Sequence, residues 1–286
     1  MLYVIYSIVC SVLVGVLLKI VKKGNGSFKQ IITWNYLFAL LLTYCVYHPK
    51  FNLTFGFSTG LILSILCILL PAIFIFQAKA IKYNGIVKTD IAQRLSLVTS
   101  LICSYFIFHE AFNSYKIIGL GFAFIAIFFT LYKKNTTANK ENKPYYLLLI
   151  LLGFGVIDVQ FKAIAGLSEI SFTEVLYLVF IGAFIIAAFI SSYAVFKKKE
   201  LFDIKNALWG LAVGILNFGN ICFYIKAHQA LSTSPSTVFA GMNMGVIVLG
   251  SCIGILIFKE RISKLNYIGI FLAIISIVFI TYSQLK

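Results

Sequence analysis

Phe108–Gly119 reads FHEAFNSYKIIG, and Phe258–Gly269, 150 positions later, reads FKERISKLNYIG. The likeness runs on: Phe108–Tyr132 and Phe258–Tyr282 align without a gap and agree at nine of twenty-five positions. Carried upstream at the same offset, Phe74 meets Tyr224, Ala80 meets Ala230, Ile81 meets Leu231 and Gly85 meets Pro235. The chain is a unit written twice.

Hydrophobic residues make up 61% of the sequence and charged residues 12%, against about a quarter charged in a soluble domain. Apolar runs long enough to cross about 30 Å of hydrocarbon as helix fall at 2–21, 31–47, 57–76, 86–107 and 115–132, then at 145–165, 174–196, 206–226, 235–258 and 265–283. The unbroken Leu/Ile/Phe runs do not alternate as barrel strands do. The expected fold is an all-α membrane protein of ten transmembrane helices, five per half. The first run lacks a basic segment ahead of it and a small-residue cleavage pattern after it, so it reads as a retained helix. Residues 1–133 form the first repeat, the polar, Lys-rich 134–144 a linker, and 145–286 the second repeat.

A net charge of +15 in a soluble chain suggests nucleic acid, but here the bases sit at helix ends. The odd-numbered connections hold eighteen of them, from Lys19, Lys22, Lys23 and Lys29 in the first to Lys259, Arg261 and Lys264 in the ninth. The even-numbered connections and the carboxy terminus hold five: Lys50, Lys116, Lys162, Lys226 and Lys286. By the positive-inside rule the odd connections face the cytoplasm and both termini face out. Five is an odd number of helices, so the second unit enters the membrane upside down, and its bases have moved to the opposite connections. Such inverted repeats pack about a two-fold axis in the membrane plane, with a site at their interface.

Ten helices as five plus five, with AKAIKYNG and FHEAFNSYKIIG in one half and AHQALSTSP and FKERISKLNYIG in the other, resemble the drug/metabolite transporter superfamily, specifically its EamA-type members. Glu110 and Glu260 are the matching acids of the two copies. The resemblance covers nearly the whole chain and implies a secondary carrier working by alternating access, with the third, fourth, eighth and ninth helices among those lining a central cavity.

Candidate site residues follow from cost. An ionisable group inside a membrane helix costs about 2.5 to 3.5 kcal/mol on insertion scales, so it faces a cavity or a partner. Asp90 and Arg94, at i and i+4 on the fourth helix, share one face. Arg94 keeps its charge at any accessible pH and suits a carboxylate or phosphate; the alternative is a self-neutralised pair that only fixes packing. Gln93 flanks this face, and Asn243 matches it across the repeat. Asp158 and Lys162 repeat the spacing on the sixth helix. Asp158 reads as a protonatable coupling carboxylate, and Lys162 as its partner or as a side chain that snorkels to the headgroups. Asn217, Asn220 and Tyr224 form a polar stripe on the eighth helix, which either meets substrate or bonds across helices.

Other features read as architecture. Gly210 with Gly214, Gly241 with Gly245, and Gly250 with Gly254 allow close helix approach, within the chain or between copies. Pro71 interrupts the third helix's hydrogen bonding. Ser234 before Pro235 reads as a helix cap. The six cysteines show no metal or disulfide spacing, and His48, His109 and His228 lie near helix ends as solvated groups. No phosphate-cradling glycine loop points to ATP. A two-acid hydrolase built on Asp90 and Asp158 lacks a nucleophile, and each acid has a base four residues on, so no enzyme is expected.

The sequence therefore points to a transporter in a bacterial inner membrane that exports a small polar metabolite, such as an amino acid, without cofactor, metal or nucleic acid. Proton or exchange coupling and a monomer or homodimer are the expected working arrangement. A multidrug exporter and a non-transporting receptor are the alternatives; the inverted repeat favours transport, because a one-sided receptor has no use for it.

Overall fold

The computed structural model describes residues 1–23, 26–50, 55–131, 143–197, 201–259 and 263–284. Ten helices occupy them: α1 (Leu2–Lys23), α2 (Phe28–Tyr47), α3 (Phe57–Asn84), α4 (Ile86–Phe106), α5 (Ser114–Leu131), α6 (Tyr145–Ala165), α7 (Phe172–Phe196), α8 (Lys205–Ala230), α9 (Pro235–Leu256) and α10 (Lys264–Tyr282). Eight are long and apolar enough to span a bilayer unaided. α5 is shorter, and α4 carries Lys88, Asp90 and Arg94 in its first half. The chain is an integral, multi-pass membrane protein. Most of the 134–144 linker, Glu260 and Arg261 lie outside the described residues.

Two helices run past their apolar stretches. α3 continues from 76 to Asn84 and α8 from 226 to Ala230, because Gln77, Lys79 and Lys82 stop a hydropathy run without stopping backbone hydrogen bonding. AKAIKYNG, which resembles an Ala-rich turn, is therefore helix through Asn84, whereas AHQALSTSP leaves the helix after Ala230 and turns before Pro235. α3 passes through Pro71 and ends at Gly85, whose φ of +86° strongly favours glycine. Local caps fix other starts. Ser171 and Glu174 form a capping box on α7, as do Ser263 and Asn266 on α10. Ser234 precedes Pro235 at the head of α9, but its side chain makes no cap bond.

The packing repeats about a two-fold axis. α1 packs on α8 as α6 packs on α3; α2 packs on α8 as α7 packs on α3; α4 packs on α6 as α9 packs on α1. α2 meets α7, α4 meets α9 and α5 meets α10, each helix facing its own counterpart. The α5–α10 seam shows the symmetry atom by atom. A Cβ on Gly119 would lie 2.7 Å from Ile280 Cγ1, and one on Gly269 would lie 2.5 Å from the backbone of Thr130, the repeat counterpart of Ile280. Ser276 Oγ donates to Gly119 O across the same seam at 2.7 Å.

Small residues serve packing within the chain. Gly210 and Gly214 lie against Trp34, Asn35 and Phe38 of α2, and Gly245 against Ile8 of α1, leaving no room for a side chain. Gly250 faces open space. One main apolar core, centred on residues such as Tyr36, Leu66, Phe180 and Phe239, runs through both halves. Large apolar side chains such as Ile68, Phe189 and Phe271 point outward, as lipid solvent requires.

Candidate functional site

A cavity of about 140 Å³ lies where α4, α6, α8 and α9 converge, with α1 closing one side. α4 supplies Gln93, Arg94 and Ser96, α6 supplies Asp158 between Phe154 and Phe161, α8 supplies Asn220 and Tyr224, and α9 supplies Met242 and Asn243. The helix period places these residues: 220 and 224, and 154, 158 and 161, each recur on one face.

Asp158 is the most heavily bonded polar group here. Tyr224 donates its hydroxyl to Oδ1 at 3.0 Å and Ser100 donates to Oδ2 at 3.1 Å. Arg94 is 15% exposed and its Nε makes no hydrogen bond; the nearest carboxylate, Asp90 Oδ1, is 3.7 Å away. That distance is a loose ion pair, so the guanidinium is not consumed by its helix neighbour. Gln93 Oε1 accepts from Gln77 Nε2 of α3 at 2.9 Å, Asn220 Oδ1 accepts from Ser7 of α1 at 2.7 Å, and Asn243 donates to Phe239 O at 3.0 Å. A cation and an anion thus face one small chamber among neutral amides and hydroxyls. Such a lining can hold a molecule bearing both an anionic and a cationic group. Among the described residues, no three His, Cys, Asp or Glu side chains cluster as metal ligands.

Six of the nine candidates line this cavity: Gln93, Arg94, Asp158, Asn220, Tyr224 and Asn243. Three do not. Asp90 is 38% exposed on the outer side of Arg94. Asn217 is buried one turn from Asn220, outside the lining. Lys162 neither pairs with Asp158 nor reaches the headgroups; it is buried and donates from Nζ to Ser232 O at 2.7 Å, a turn away from the cavity. The i, i+4 reading failed because a buried lysine with three donors takes the nearest exposed carbonyl. His228 corrects a second expectation. It is fully buried, with its ring between Tyr224 and Phe239, whereas His48 and His109 are exposed.

Known proteins agree with this architecture. The profile of the EamA-like transporter family matches residues 1–132 and again 143–282. The chain belongs to the EamA-like transporter family. An uncharacterized protein of Haemophilus influenzae is 41% identical over 286 residues, covering 97% of each chain. A solved protein crystal structure superposes with a TM-score of 0.70 over 98% of each chain at 12% identity, a likeness of fold alone.

Within this EamA-like fold, α4, α8 and α9 line the cavity as the resemblance implies, and α3 does not. α3 touches the lining through the bond from Gln77 to Gln93, and α6 and α1 contribute residues as well. Sequence reasoning also missed the serines of α4. Ser96, Ser100 and Ser104, all buried, recur at i, i+4 and i+8 and run from the cavity to one end of the bundle; that spacing was the available signal. A second basin, about 1,020 Å³, opens at the odd-connection end between Lys29, Lys79, Lys82 and Asp203.

Proposed function

We propose that the protein is a secondary active transporter that moves a small zwitterionic or anionic metabolite, an amino acid or a related compound, by alternating access. The observation that carries this reading is that Arg94 and Asp158 line one cavity where α4 meets its counterpart α9. A site at the repeat interface can be exposed to either face by rocking one half on the other. Arg94 takes the substrate's carboxylate in a bidentate hydrogen-bonded pair. Asp158, held by Tyr224 and Ser100, takes the ammonium group or a coupling proton. Gln93, Asn220 and Asn243 fix orientation.

The size of the Arg94–Asp158 cavity favours a small metabolite over a drug. Drug-sized ligands occupy pockets of about 300–1,000 Å³, and 140 Å³ is well below that. The charge distribution supports the rest: odd connections in the cytoplasm of a bacterial inner membrane, termini outside, and a basin on the cytoplasmic side from which export begins.

The experiment is uptake and counterflow of a labelled panel of amino acids and small metabolites in proteoliposomes. Flux of one such compound is expected in the wild type, and Arg94→Gln is expected to reduce it at least 100-fold while expression and detergent monodispersity stay normal. A mutant with unchanged flux would remove Arg94 from the site.

A further inference from the structure

The connection between α4 and α5 carries Glu110, an acid of the repeated motif that the cavity does not use. It is 4% exposed, and all its bonds are internal. From its own half, Lys116 Nζ donates to Oε1 at 2.7 Å and Ser104 Oγ donates to Oε2. From the other half, Ser236 donates twice: its backbone N–H to Oε2 at 2.9 Å and its Oγ to Oε1 at 2.6 Å. Ser236 is the second residue of α9, so Glu110 fills the cap position that Ser234 leaves empty. An unpaired N–H at the positive end of a helix favours a carboxylate.

Two further bonds hold the same turn. Lys162 of α6 donates to Ser232 O at 2.7 Å, just before α9, and Gln284 Nε2 donates to Thr237 Oγ1 at 2.7 Å, just inside it. All of these groups lie at the even-connection end of the bundle. The cavity residues Asn243 and Met242 lie two turns further along the same helix.

We propose that Glu110 is a gating latch. It clamps the first turn of α9 to the α4–α5 connection and so holds the even-connection end shut; opening that end begins with the loss of its two bonds to Ser236. Three of the latch's four residues are not repeated in the second copy. At the offset of 150, Glu110 corresponds to Glu260, but Ser236 corresponds to Ile86, Lys116 to Asn266 and Ser104 to Gly254. The hydroxyl of Ser236, the ammonium group of Lys116 and the hydroxyl of Ser104 are thus not repeated at the matching positions. Asn266 is committed elsewhere, capping α10 and donating to Phe129 O at 3.0 Å. This inference rests on the alternating-access reading only for what the opening is used for.

The test is thiol accessibility in membranes, without substrate. In a chain whose six native cysteines are replaced, Met242→Cys reports the cavity, and a separate His109→Cys marks which face carries the even connections. An impermeant maleimide is applied to one face at a time. With Glu110 present, the reporter is expected to label from the odd-connection face. Glu110→Gln is expected to raise labelling from the even-connection face at least five-fold, and Ser236→Ala, which removes one bond and keeps the N–H, to raise it by a smaller factor. A purely structural role would lower the amount of labelled protein without changing its sidedness. Should Glu110→Gln not accumulate, Ser236→Ala decides alone, since unchanged sidedness there overturns the latch. A shift in labelling in a protein that transports nothing from the panel would keep the latch and sink the transport reading; flux without a shift would do the reverse.

Discussion

A carboxylate inside an apolar bundle is an expensive residue to keep, and two lie along α4: half-buried Asp158 at the cavity and buried Glu110 at the bundle's end. Each is bonded by a serine of that helix, Ser100 and Ser104, so one helix face organises both. Their neighbours differ. Glu110 is neutralised by Lys116 at 2.7 Å, whereas Asp158 has only hydroxyl donors and the more distant guanidinium of Arg94. In the proposed transport cycle Asp158 is therefore the group assigned to exchange a proton or accept a cation. Asp158→Asn is expected to abolish the response of flux to an imposed pH gradient while leaving substrate counterflow measurable. A mutant still driven by the gradient would exclude Asp158 from coupling. Much of this was legible residue by residue, because charges and amides in apolar helices stand out. Tyr224 and Arg94 announced themselves in that way. What the sequence left open is which of several possible partners a side chain takes: Lys162 had Asp158 four residues away and chose a carbonyl seventy residues on.

At the scale of the element, helices were readable wherever lipid sets their length, and less so where water or protein takes over. The bounds of α6 and the start of α9 fall where the apolar runs begin and end, whereas α3 and α8 overrun theirs by several residues. The glycine pairs were visible as close-approach motifs, but which neighbour they admit is a matter of tertiary packing. α8 uses Gly210 and Gly214 to lie almost on the backbone of α2. Gly210→Val is expected to destabilise the protein by about 1–3 kcal/mol, as overpacking does, and to lower the detergent melting temperature. Gly250→Ala, with nothing within 4 Å of the added carbon, is expected to leave melting unchanged. Equal melting of the two variants would contradict the α2–α8 contact.

For the whole molecule, the inverted repeat follows from an odd number of helices per unit and a charge bias that changes connection between halves; the two-fold packing makes it physical. The symmetry is followed in the framework and broken in the chemistry. Gly119 and Gly269 are equivalent, but Arg94 corresponds to Met244 and Lys116 to Asn266, so the cation of the cavity and the ammonium of the latch are not repeated at those positions. Helix lengths carry a separate consequence. At 1.5 Å per residue, α10 with 19 residues extends about 28 Å, whereas α3 with 28 extends about 42 Å. The α5–α10 edge exposes Ile118, Phe128, Phe271 and Val278 to lipid. A bilayer core of about 30 Å is slightly too thick there and must thin locally, at fractions of a kcal/mol per Å of mismatch. Flux per reconstituted protein is therefore expected to fall as acyl chains lengthen from sixteen to about twenty-two carbons, and a rise to the thickest bilayer would show that this edge does not set the fit. The lipid around the protein, as well as the residues inside it, tunes how readily the two halves move.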